Sequence, residues 1–132
     1  MDKQSVSRIV PIAVVLLMLT VAGCAGRKTA FIVPEGAGEK TVALEVSSFR
    51  FEPNAIEAHA GDRLLLRMHN SAVMGHNLTV TDPGGKILLA IDLPPGKTTE
   101  AVLALGQAGE YRFYCDKPMH TSMGMSGTIT TR

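Results

Sequence analysis

Residues 113–127 read FYCDKPMHTSMGMSG, a segment holding one of the chain's two cysteines, one of its four histidines and three of its seven methionines. His120 follows Cys115 at the fifth position and Met125 at the tenth. Thiolate, imidazole and thioether are soft or borderline donors, and donors of that kind select transition metals over magnesium or calcium. A lone buried cysteine is ordinarily a small hydrophobe, so the segment needs a further ligand from elsewhere before it reads as a site.

The elements that would position such ligands are strands. From Thr41 onward apolar residues recur with a period near two, and turn signals such as HAGD and DPGGK interrupt them every eight to twelve residues. That pattern belongs to an all-β sandwich or barrel. Val42, Leu44 and Val46 alternate with Ala43, Glu45 and Ser47, and Leu64, Leu66 and Met68 alternate with Arg63, Arg67 and His69. Further strands are expected over 55–58, 76–81, 87–91, 98–105, 110–115 and 128–131. Long helical stripes, internal repeats and low-complexity segments are absent from the sequence.

Side chains of a strand alternate between faces, so each histidine is sorted by the neighbours in phase with it. His59 runs in phase with Glu57, and His69 with Arg67 and Arg63, which places both in solvent. His76 runs in phase with Leu78 and Val80, which points it inward at the start of its strand. Cys115 continues the inward series of Tyr111 and Phe113. Two inward ligands at strand ends, with His120 and Met125 on the following loop, give one thiolate, two imidazoles and a thioether. Copper suits that set, with three strong donors near a plane and a weak axial Met. Zinc would take the Cys and two His but prefers a strong fourth donor or water.

The segment VMGHN at 73–77, paired with C-x4-H and a later M-x-G-T over 115–128, resembles the azurin branch of the cupredoxins, small blue-copper electron carriers. FEPNAIEAHAGDRLLLRMHN is similar to the stretch that leads to the family's first ligand, so the likeness covers most of 42–132. It implies a Greek-key β-sandwich or barrel and one type 1 copper. His76, Cys115 and His120 would be the strong ligands, Met125 the axial one, and the Gly75 carbonyl a distant fifth contact. Asn77 is expected to tie the ligand loop to its own strand, and the Lys117 N–H to donate to the Cys115 sulfur, since Pro118 has no N–H to give. Four residues separate His120 from Met125 where azurin has three, a spacing closer to plastocyanin, pseudoazurin and rusticyanin. Met123 therefore competes for the axial role, and the SGTIT after Met125 favours Met125. Met119 stands where azurin and rusticyanin have Gly, and azurin's disulfide has no counterpart.

The N-terminus supplies an address. Lys3 and Arg8 precede an apolar run over 9–23 that ends in small residues, the order of parts in a secretory signal. The run is shorter than the roughly 20 residues of a membrane span. VAGC over 21–24 resembles the bacterial lipobox, which implies a signal peptide over 1–23 and a lipidated Cys24. Residues 24–40 read as a flexible tether with an r.m.s. span of roughly 20–25 Å, or with 31–33 as an added edge strand, and 41–132 as the cupredoxin domain. The 13 basic and 12 acidic residues become 11 and 11 once Lys3, Arg8 and Asp2 are removed. Such a neutral domain lacks the basic face that nucleic acid requires.

The expected function is a membrane-tethered one-electron carrier of the bacterial cell envelope, on the periplasmic or extracytoplasmic side. A monomer that meets redox proteins of the envelope through an apolar rim around His120 is expected, with copper storage or delivery as the alternative. An enzyme is not expected, because the sequence has no His-x-His pair for further copper centres and no second cysteine in the loop for a binuclear one.

Overall fold

A computed structural model describes residues 28–132; the segment read above as a signal peptide, 1–23, and Cys24 lie outside the described residues. Ten strands form among the described residues: β1 Ala30–Ile32, β2 Glu39–Ser47, β3 Arg50–Glu52, β4 Ala55–Ala58, β5 Arg63–Asn70, β6 His76–Thr81, β7 Ile87–Leu93, β8 Thr98–Ala104, β9 Gly109–Tyr114 and β10 Ser126–Thr131. They make two sheets, one of six strands in the order β1-β4-β10-β9-β6-β7 and one of four in the order β3-β2-β5-β8. Among the described residues no helix is long and apolar enough to cross a membrane.

The alternation read from the sequence is what lets the two sheets close on each other. In the four-stranded sheet β2 and β5 run parallel with Val42 opposite Leu66 and Leu44 opposite Met68, and all four are buried. Leu78 and Val80 of β6, Tyr111 and Phe113 of β9 and Ile129 of β10 face them from the other sheet. Phe51 and Phe113 meet across the interior as an edge-to-face pair with ring centroids 5.6 Å apart, an arrangement that aromatic quadrupoles favour. Each large side chain fully buried in this way contributes roughly 1.5–3 kcal/mol.

The chain closes its ends with specific hydrogen bonds. Tyr111 Oη donates to the Gln107 carbonyl at 3.0 Å and accepts the Gln107 N–H at 3.1 Å, the tyrosine corner of Greek-key sandwiches. The HAGD turn forms as expected, with the Asp62 carboxylate accepting the His59 N–H at 3.0 Å and Gly61 at φ 93°.

Two expectations change. The stretch read as a tether over 24–40 joins the domain from Thr29 onward: the Asn54 N–H donates to the Thr29 carbonyl and the Thr29 N–H to the Asn54 side-chain oxygen, β1 pairs in parallel with β4, and Val33 is buried in the core. The edge-strand reading of 31–33 is thus the one the fold adopts, shifted by one residue. Secondly, Thr79 is buried although its parity points it away from the main core. It lies on a central strand flanked by β7 and β9, and its hydroxyl donates to the Asp116 carboxylate at 3.3 Å.

Candidate metal centre

β6 and β9 are antiparallel neighbours, with Thr79 opposite Tyr114. The first residue of β6, His76, and the residue just past the end of β9, Cys115, therefore lie at the same end of the sheet. Both are buried, as parity requires. Asn77 fastens the two strand ends: its side-chain oxygen accepts the Asp116 N–H at 2.9 Å while its amide donates to the Asp116 carboxylate. This is the clip between ligand loop and strand expected of Asn77.

The loop over 116–125 is a run of tight turns that curls His120 back over Cys115. His120 N–H donates to the Lys117 carbonyl at 3.1 Å, Met123 N–H to Met119 at 3.1 Å, and Gly124 N–H to Thr121 at 3.0 Å. The Thr121 hydroxyl donates to the Cys115 carbonyl at 2.6 Å. Met125 N–H reaches the His120 carbonyl at 3.1 Å, and Cys115 N–H the Met125 carbonyl at 3.1 Å. Met125 is thereby drawn under the loop and completely buried, whereas Met123 is 53% exposed. Of the two methionines that compete for the axial place, only Met125 faces the interior. The Lys117 expectation is not met: among the described residues its N–H makes no hydrogen bond to the Cys115 sulfur, and its carbonyl serves the turn instead. Met119 takes the left-handed conformation, φ 67°, at the position where the resemblance has Gly, so the methionine bears a strain that glycine would not.

Three donor atoms converge here. Nδ1 of His76 lies 3.1 Å from Nδ1 of His120, and Cys115 Sγ lies 3.4 Å from that same His120 nitrogen. Such separations suit donors held about 2.0–2.3 Å from one ion. Burial, then the neighbouring His120 and Lys117 charges, push the His76 imidazole below its ordinary pKa, so it is neutral with a lone pair to offer near neutral pH. Its Nε2 is buried without a hydrogen-bond partner, while Nδ1 points into the cluster. Two imidazoles with their Nδ1 atoms face to face and a sulfur beside them offer their lone pairs to one shared cation. With a cysteine sulfur in the cluster and a buried thioether in the same loop, the donor set fits copper.

Two residues at this end escaped sequence reasoning. Asn70 is fully buried at the end of β5, where its amide donates to the Met74 carbonyl at 3.0 Å and the Leu93 carbonyl at 2.8 Å, and its oxygen accepts the Ala72 N–H at 3.0 Å. It thus pins the loop over 71–75, and with it Gly75, ahead of His76. Its signal was available, because it continues the inward series of Leu64, Leu66 and Met68 as a polar residue. Phe49, in the turn between β2 and β3, stands edge-to-face with His120, ring centroids 4.9 Å apart and planes at 81°. No sequence pattern marks that contact, which joins residues 71 positions apart.

A family model for the cupredoxin-like domain matches residues 11–131. The chain belongs to that family. Among solved structures, the cupredoxin-like domain superposes on auracyanin A, a "blue" copper protein from the green thermophilic photosynthetic bacterium Chloroflexus aurantiacus, with a TM-score of 0.63 and 19% identity over 72% of this chain and 100% of that one. Dithionite-reduced auracyanin from the photosynthetic bacterium Roseiflexus castenholzii gives a TM-score of 0.62 at 17% identity, covering 70% of this chain and 96% of that one. Auracyanin B gives 0.62 at 19% identity, covering 76% and 93%. A comparison with curated protein sequences finds no match. At these identities the likeness establishes the cupredoxin fold, and the cluster at the end of β6 and β9 stands on its own geometry.

Proposed function

We propose that this chain is a blue-copper electron carrier, tethered to the periplasmic or extracytoplasmic face of a bacterial membrane through a lipidated Cys24. The observation that carries the reading is the convergence of His76 Nδ1, Cys115 Sγ and His120 Nδ1 in one buried cluster, with Met125 buried in the same loop. His76, Cys115 and His120 would hold the ion, with Met125 as a weak axial donor and the Gly75 carbonyl as a distant contact. Copper would supply a one-electron couple between its Cu(I) and Cu(II) states. The chain's own part is to keep the donors still. The Asn77–Asp116 clip, the Asn70 bonds to the preceding loop and the Thr121–Cys115 bond fix the ligands in one compromise geometry, so that little moves when charge changes.

His120 is the ligand nearest solvent, half-buried where His76 and Cys115 are fully buried. Val73, Met74, Met119 and Met123 are exposed on the two loops that carry the ligands. An apolar rim around an accessible imidazole suits brief docking of redox proteins of the envelope. The same exposed thioethers favour a second reading, in which the protein stores or delivers copper and the methionines pass Cu(I) along.

The test is the visible spectrum of the copper-loaded mature protein. Intense blue thiolate-to-copper charge transfer is expected, and it should vanish in Cys115→Ser while the far-ultraviolet β signal persists. A wild-type protein without that band, or a mutant that keeps it, would refute the ligand set. Rapid reversible loss of the metal to a mild chelator would favour delivery over electron transfer, and an intact mass without an acylated Cys24 would remove the tether.

A further inference from the structure

The two-residue turn Ser48–Phe49 joins β2 to β3, with Ser47 paired to Arg50 on either side. Phe49 occupies its second position at φ 58°. That is the left-handed region, which Gly enters freely and Asn tolerates, and which a bulky aromatic residue rarely adopts. A turn needs no phenyl ring; a small or polar residue would close it with less strain. Strained non-glycine conformations of this kind persist where the surrounding structure makes use of them. Here the strained backbone directs the ring from the four-stranded sheet to the His120 imidazole, which belongs to the loop of the other sheet.

We propose that Phe49 is a positioning residue of the metal centre: its ring, set by the left-handed turn, holds the His120 imidazole by an edge-to-face contact and covers it from solvent. The inference rests on the reading of His120 as a copper ligand. His120 is the one strong ligand borne on a turn loop rather than at a strand end, so its ring has the least support from the sheet. The His76 ring lies at 5.0 Å and 60° on one approach, and Phe49 at 4.9 Å and 81° on another. Between them the imidazole is confined with its Nδ1 toward Cys115 and His76. Apolar cover over a ligand also lowers the local dielectric, which disfavours the more highly charged oxidised site.

Three variants separate the ring from the turn. Phe49→Tyr keeps the ring, Phe49→Leu keeps apolar bulk without it, and Phe49→Gly removes both while fitting the turn's φ. In the copper-loaded protein, Leu and Gly should release the metal to a chelator about tenfold faster than wild type, the scale set by partners that orient metal ligands, and Gly, which alone removes the apolar cover, should also lower the reduction potential. Tyr should behave as wild type in both. In the metal-free protein, nuclear magnetic resonance should show the His120 ring protons losing the ring-current shift from Phe49 in the Leu and Gly variants and keeping it in Tyr. Wild-type release rate and potential in the Gly variant would overturn the proposal, as would equal perturbation of all three variants, which would assign the effect to the turn. A wild-type protein that fails to bind copper through Cys115 would instead refute the functional reading, and the metal-free ring shifts would still decide whether Phe49 holds His120.

Discussion

Replacing Gly127 with Ala should disrupt the wall behind the metal centre, although it adds one methyl group. Gly127 lies on β10 opposite Phe113 of β9. A Cβ built on it would fall 2.2 Å from Phe113 Cζ, 2.5 Å from Phe113 Cε2 and 2.5 Å from the Asn54 carbonyl oxygen. Turning the ring could relieve the first two contacts, at the expense of the edge-to-face pair with Phe51, worth about 0.5–1.5 kcal/mol. The third is with backbone, and that carbonyl accepts the Thr128 N–H at 3.0 Å, so yielding would strain the tie between β10 and the start of β4. Overpacking costs about 1–3 kcal/mol, and with part of the aromatic pair lost the destabilisation should be about 3 kcal/mol. For a domain of this size that lowers Tm by roughly 12–24 °C. Urea and thermal unfolding of the metal-free wild type and Gly127→Ala, followed by circular dichroism, measure it. Adding Phe113→Leu should recover part of the loss by vacating the space, which a general strand effect of Ala would not do. A loss below about 1 kcal/mol, or a double mutant worse than both singles combined, would refute this account of the packing.

Three further outcomes are expected. Met125→Leu should keep copper bound and raise the reduction potential, because hydrocarbon replaces a weak donor to Cu(II), whereas exposed Met123→Leu should leave it unchanged; voltammetry of both tests the axial assignment, and the reverse ranking would transfer it. Met119→Gly should stabilise the metal-free domain by up to about 1 kcal/mol, since relief of roughly 1–2 kcal/mol of left-handed strain outweighs the 0.5–1 kcal/mol entropic cost of glycine, and a clear loss in urea unfolding would show that the side chain packs to advantage. Lys40, hydrogen-bonded and ion-paired to Asp62, holds that carboxyl below its ordinary pKa of 3.8 against the opposing effect of burial; a depressed folded pKa gives stability that is present above 3.8 and lost as pH falls through the folded value. The stability advantage of wild type over Asp62→Asn should therefore shrink as unfolding is measured at successively lower pH below 3.8, and a constant difference would refute the linkage.

The ligand set was legible because it depends on two local rules. Strand parity turned His76 and Cys115 inward, and spacing along one loop brought His120 and Met125 to them. Residues whose burial depends on a second strand or sheet were harder to read. Thr79 points away from the main core by parity yet is covered by its neighbours on both sides, and the three residues of β3 are too short to show a period. Residues 31–33 were ambiguous for a related reason: a parallel edge strand is specified by its partner β4, 25 residues away in register, and not by a turn next to it. Lys117 went astray because a hydrogen bond to sulfur is set by the exact path of a turn, which sequence pattern does not determine.

The two sheets divide the work at the metal end. β6 and β9 of the larger sheet deliver His76 and Cys115 by register alone, and the loop from β9 to β10 adds His120 and Met125. The smaller sheet gives no donor, yet it decides how still the donors are held: Asn70 at the end of β5 fixes the loop before His76, and Phe49 after β2 stands against His120. Buried amide and aromatic ring act differently. The amide satisfies three backbone groups that would otherwise be stranded, so its loss would be felt first in stability. The ring satisfies none, and it stands in a conformation that costs folding energy. Substitutions at Asn70 should thus move the unfolding transition and the metal properties together, whereas those at Phe49 should move the metal properties with comparatively little change in stability.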